Sequence, residues 1–81
     1  MFVYVLRSEK DKSFYIGSTK NVEQRLNGHN RGQSLSTRLK RPWVLARVEE
    51  YDSDSLALKR EKFLKSAKGR VVVKNLCSFR E

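Results

Sequence analysis

The first apolar stretch, "FVYVLRS" at residues 2–8, is β-branched and aromatic, "EKDKS" after it is polar turn material, and "FYIGS" is again strand-like. Residues 2–18 are therefore predicted as a β-hairpin with a longer loop, which sets Tyr4 and Tyr15 on adjacent strands. The period then changes. Asn21 and Gln24 form a capping pair, and Val22, Leu26 and His29 recur at helical spacing until Asn30-Arg31-Gly32 ends a first helix. Residues 31–42, "RGQSLSTRLKRP", are predicted as an exposed loop, and "WVLARVEEY" alternates into a third strand. "DSDS" offers N-caps to a second helix, "LALKREKFLKSAKG", with Leu56, Phe63, Leu64 and Ala67 on one face and Gly69 as the expected stop. The tail "RVVVKNLCSFR" supports two readings: its valines favour a strand, and the spacing of Val71, Leu76 and Phe79 allows a short helix. The sum is an α+β domain, a small three-stranded antiparallel sheet flanked by helices.

Length and composition narrow the picture. With 81 residues and 38% hydrophobic content, the chain is expected to form one domain spanning residues 1–81, with a small core rather than a disordered tail. A single cysteine, Cys77, excludes an internal disulfide and reads as buried filler; no Cys/His cluster has zinc spacing. No apolar run approaches a membrane span, so the expected setting is the reducing cytoplasm.

Charge changes the picture more. Eighteen Lys and Arg against nine acids give a net charge of +9, and a polyanion is the first partner to consider. Between Gly32 and Ala46 stand Arg38, Lys40 and Arg41 with no acid, and from Lys59 to Arg70 six cations surround one carboxylate, Glu61. Arg38, Lys40 and Arg41, with Lys20, are the candidate nucleic-acid contacts. Charge alone does not separate DNA from RNA, or binding from cutting.

Individually, the residues that could carry chemistry have ordinary explanations. Gly17 can simply close a strand, Arg25 and His29 at i and i+4 are a common helix-surface pair, and Tyr4 and Tyr15 can be amphipathic strand residues. Glu61 can be a solvated glutamate paired with Lys65 at i+4. It can equally hold a hard cation such as Mg²⁺, which needs one carboxylate and completes its shell with water and phosphate.

Their order is more telling than any one of them. A strand tyrosine in "FVY", a strand "YIG", a helix arginine ten residues after Tyr15, His29 four residues later and Glu61 in "LALKREKFLK" together resemble the GIY-YIG nuclease superfamily over nearly the whole chain. The likeness is greatest to its small stand-alone bacterial members of the UPF0213-like kind. Two positions depart from the family pattern: Phe2 replaces the first glycine, and the asparagine that follows the glutamate has only Asn75 as a candidate.

The resemblance implies a GIY-YIG endonuclease fold and a metal-dependent phosphodiester hydrolase with one divalent ion, Mg²⁺ or Mn²⁺, on Glu61. Tyr15, with Tyr4 and His29, would orient or deprotonate the attacking water; Gly17 would bring backbone close, and Arg25 would neutralise charge on the phosphoryl oxygens. Whether a tyrosine or His29 is the base stays open. The implied substrate is DNA, with branched and single-stranded forms both admissible, in repair or processing, and a protein partner could target it. The alternatives are a nucleic-acid-binding module, for DNA or RNA, that keeps the fold without turning over, and an interaction domain whose positive face docks an acidic protein.

Overall fold

A computed structural model describes residues 1–77 of the chain, and the elements follow in the order β1 (Phe2–Ser8), β2 (Phe14–Thr19), α1 (Val22–Asn30), α2 (Leu35–Arg38), β3 (Trp43–Glu50), α3 (Asp54–Lys65) and α4 (Ala67–Leu76). The three strands form one antiparallel sheet in the order β2-β1-β3. This is the expected α+β arrangement with a three-stranded antiparallel sheet.

The central strand is covered on both faces, which is why "FVYVL" is an unbroken apolar run rather than an alternating one. Val3 and Val5, with Ile16 of β2, pack on Ala57 and Leu64 of α3, on Val73 of α4 and on Cys77 just after it. Tyr4 and Leu6 point the other way, into a smaller cluster with Trp43 that is closed by Tyr15, Val22 and Leu26. Pairing sets Tyr4 opposite Gly17, Leu6 opposite Tyr15, and Val3 opposite Ser18. β2 is an edge strand, so its outer margin is free to face a ligand. β1 runs as regular strand through Phe2, so the departure from glycine there leaves the backbone at Tyr4 undisturbed.

Four local expectations are corrected. Residues 31–42 are not wholly an exposed loop: they contain α2, whose Thr37 is 1% exposed because its hydroxyl bonds His29 and its carbonyl oxygen accepts from Trp43 Nε1 at 2.9 Å. The second predicted helix ends at Lys65, because Ser66 takes an extended conformation and caps α4 by accepting from Gly69 N at 3.1 Å. Gly69 therefore lies inside α4, where a Cβ would collide with the Phe63 carbonyl; it permits close helix approach rather than ending a helix. The buried stripe of α3 is Ala57 and Leu64, while Leu56 and Phe63 are 49% and 40% exposed.

The tail is helical to Leu76, and its buried positions are Gly69 and Val73, with Val71 and Leu76 exposed. Packing of Val73 into the core outweighs the strand preference of the valines. Phe79 lies outside the described residues. Cys77 is buried, as expected.

One ionic cluster ties β3 to α3. Glu49 Oε1 accepts from Arg60 Nε at 2.9 Å and Tyr51 Oη at 2.8 Å, and its Oε2 accepts from Arg47 Nε at 2.9 Å. The Arg60 bond, above all, holds the Glu49 carboxyl at about 2, against an ordinary value of 4.5. A depressed carboxyl stabilises the fold above its unfolded pKa, and that contribution is lost as pH falls from about 4.5 towards 2. Arg60→Met should therefore cost about 1–2 kcal/mol at pH 7, allowing for screening, and almost nothing near pH 2, read by denaturant unfolding at each pH.

Candidate active site

The sheet register brings the candidate groups to β2. Tyr4 is 1% exposed, and its ring leans over Gly17: a Cβ there would stand 2.5 Å from the phenol oxygen. Gly17 is thus required by the side chain opposite it on the neighbouring strand. The Tyr4 hydroxyl meets His29 Nε2 at 3.1 Å, and the ring's other nitrogen, Nδ1, meets Thr37 Oγ1 at 2.8 Å. The tautomer with its proton on Nδ1 fits these contacts: Nδ1 donates to Thr37 Oγ1, which lies 3.5 Å from Ser34 O, and Nε2 accepts from Tyr4.

His29 is 2% exposed, at the end of α1 on the side facing the sheet. Burial, and then the charge of Arg25, push its pKa below 6.5, so the imidazole is neutral at pH 7 and available as a proton acceptor. Burial pushes the Tyr4 phenol up, while the neighbouring Arg25 guanidinium pulls in the opposite direction. Tyr4 is therefore a protonated phenol between a guanidinium and a neutral imidazole. Tyr15 lies tilted beside this pair, with its ring centroid 4.8 Å from His29 and 6.3 Å from Tyr4. It is partly exposed, and Arg25 is exposed, so these two form the solvent side of the cluster.

Glu61 reaches β2 from the other face of the sheet. It falls four residues after Ala57 and three before Leu64, on the stripe that faces the sheet, and not on the helix flank. Its Oε1 accepts from Ser18 Oγ at 2.6 Å and its Oε2 from Lys65 Nζ at 2.7 Å. Burial raises the carboxyl, but Lys65 and Ser18 together outweigh it and leave the pKa below its ordinary value. Ser18 follows Gly17 directly, and the Glu61 charge is felt at Tyr4.

This donor set suits one kind of metal. No group of three or more His, Cys, Asp or Glu side chains that could hold an ion occurs among the described residues, which is unlike an all-protein cage or a zinc site. A single ionised carboxylate, already oriented by a serine, suits a hard cation that keeps most of its waters. Asn75 stands exposed on α4, and the partners of Glu61 are Ser18 and Lys65 instead.

The predicted nucleic-acid contacts border three different hollows. Lys20 borders an apolar hollow with Phe2, Val22 and Leu45. Arg38 and Arg41 border another with Lys10 and Asn30, and Arg41 Nε donates to Arg38 O at 2.7 Å. Lys40 faces a third, beside Tyr15, with Lys12, Lys65, Arg70 and Lys74. The last four were not singled out as contacts in the sequence, although Lys65 and Arg70 belong to the cation run around Glu61. Ser18 was also missed; its parity with Ile16 on β2 would have assigned it to the α3 face.

Residues 1–75 match the family described as the GIY-YIG catalytic domain. A UPF0213 protein of Staphylococcus saprophyticus is 39% identical over 66 residues, which is 80% of this chain and 79% of that protein. UPF0213 proteins of the Mu3 and Mu50 strains of Staphylococcus aureus are 42% identical over 66 residues, with the same shares covered. No solved structure matches. Among the described residues, no helix is long and apolar enough to cross a membrane.

Proposed function

The chain belongs to the GIY-YIG family, a nuclease superfamily whose members generally use a divalent metal, and on that premise we propose that it is a metal-dependent endonuclease hydrolysing phosphodiester bonds of DNA. The observation that carries this reading is the buried Tyr4 hydroxyl, 3.1 Å from a neutral His29 Nε2, in a cluster that also holds Arg25 and Tyr15. A packing tyrosine needs no imidazole whose tautomer is set by a second buried hydroxyl.

In this mechanism the Tyr4 oxygen takes a proton from the attacking water as its own proton passes to His29 Nε2, and Thr37 holds the ring for that transfer. An unassisted phenol is a poor base at neutral pH, so the proton ends on the imidazole. Tyr15 orients the water from the solvent side. Arg25 offers a forked, permanent charge to the phosphoryl oxygens as negative charge grows on them. Ser18 orients Glu61, the residue that would hold a Mg²⁺ or Mn²⁺ ion. When bound, such an ion supplies Lewis-acid stabilisation of the phosphate and the departing oxygen. With a net charge of +9, the reading extends to DNA recognised by structure, with little sequence preference, in repair or processing within the cytoplasm.

The test is cleavage of labelled single-stranded, duplex and branched DNA with Mg²⁺ or Mn²⁺. Cutting that disappears with a chelator and in Glu61→Ala supports the proposal. Salt-sensitive binding without cutting on any substrate overturns it in favour of a binding module. For Arg25→Ala, kcat should fall about 10²–10³-fold with KM changed only a few fold, read by steady-state kinetics.

A further inference from the structure

Beside the tyrosine cluster, at the free edge of β2, lies a cavity of about 500 Å³ bordered by Lys12, Lys40, Lys65, Arg70 and Lys74. No acidic side chain borders it, and Phe14 and Val73 give it an apolar floor. Lys40 is paired with Asp11 at 3.6 Å and Lys65 with Glu61 at 2.7 Å; among the described residues Lys12, Arg70 and Lys74 have no ion-pair partner. Cations gathered over a low-dielectric floor repel one another until an anion enters. Lys12 also holds φ at 66°, in the left-handed region that a lysine seldom occupies.

Lys65 belongs to both places. Its ammonium neutralises Oε2 of the carboxylate that the endonuclease reading assigns to a cation, and the same side chain borders the cavity. An ammonium and a divalent cation cannot share that oxygen without strong repulsion.

We infer that this cavity seats the substrate-strand phosphates next to the scissile one, and that Lys65 links it to Glu61. The lysine holds the carboxylate in the unloaded protein and turns to the strand once the carboxylate is taken by a cation. The inference rests on the endonuclease reading for the role of Glu61. Ion and strand should accordingly reinforce each other's binding, by an equal factor in each direction.

Two binding experiments test it, neither needing turnover. In EDTA, fluorescence anisotropy with a labelled DNA oligonucleotide compares Arg70→Glu and Lys74→Glu with Lys59→Glu, the same charge change on an exposed part of α3 outside the cavity. The cavity variants should bind about 3- to 10-fold more weakly than Lys59→Glu, with the salt slope reduced by about one. Equal loss in all three overturns the cavity as a seat. Without DNA, Mn²⁺ titration followed by electron paramagnetic resonance should show Lys65→Met binding the ion about 2- to 5-fold more tightly than wild type, and Lys59→Met unchanged. Unchanged or weaker Mn²⁺ binding in Lys65→Met, or none in either protein, overturns the link. Absence of cleavage in the separate nuclease assay would count against the endonuclease alone, because these readouts are equilibria.

Discussion

Tyr4→Phe should lower DNA cleavage by about 10²–10⁴-fold while leaving DNA affinity within a few fold of wild type, because the lost hydroxyl is the only atom of Tyr4 that the proposed chemistry uses. The ring itself is core, 1% exposed against Leu6 and Trp43, so phenylalanine keeps the packing. Removing the hydroxyl also leaves His29 Nε2 without its partner in a buried place, at a cost of about 1–3 kcal/mol in unfolding free energy. Single-turnover kinetics and denaturant unfolding on the same preparation separate the two effects. If Tyr4→Phe cut at the wild-type rate, proton transfer through Tyr4 would be ruled out and Tyr15 would inherit the role.

The same geometry sets the pH dependence. Burial and Arg25 push His29 below 6.5, so the neutral, accepting ring persists to lower pH than a free histidine would allow. Activity should rise with pH through that lowered pKa and then stay flat across neutrality, since burial keeps Tyr4 protonated there. An acid limb of kcat/KM centred above pH 6.5 would contradict the assignment of His29 as acceptor.

Much of this was legible along the chain, for physical reasons that can be named. Strands and the first helix were readable because β1, β2 and β3 are rich in β-branched and aromatic residues and Asn21 caps α1 with its own side chain, accepting from Gln24 N at 3.0 Å. The short helix α2 was not, because its anchoring comes from tertiary bonds to Thr37 made by His29 and Trp43, six or more residues away. The break at Ser66 was hidden by good helix formers on both sides, and Gly69 read as a stop because a glycine required by close helix contact looks the same in sequence as one required by a turn. At the site, the residue types were readable from their order, but not which tyrosine touches His29. That depends on strand register, which fixes Tyr4 opposite Gly17 and Tyr15 opposite Leu6. The cavity cations were unreadable for a different reason: Lys12 and Arg70 are 58 positions apart and border one cavity only because α4 packs on α3, which itself lies against β2.

Gly17→Ala should abolish most of the activity although it replaces no group that performs chemistry. The added methyl would stand 2.5 Å from the Tyr4 oxygen and 2.7 Å from its ring carbon, so the buried phenol must move, and His29 Nε2 at 3.1 Å is the contact it gives up. Cleavage should fall about 10²-fold or more, towards the level of Tyr4→Phe, with a loss of about 1–3 kcal/mol in stability from overpacking. Combining the two changes discriminates this account from a general loss of fold. If Gly17 acts through the tyrosine hydroxyl, the double variant Gly17→Ala/Tyr4→Phe should be no less active than Tyr4→Phe alone, and part of the stability lost in Gly17→Ala should return as the nearest clashing atom is removed. Losses that multiply would instead mean that Gly17 serves catalysis independently of the Tyr4 hydroxyl, by bringing its own backbone to the substrate.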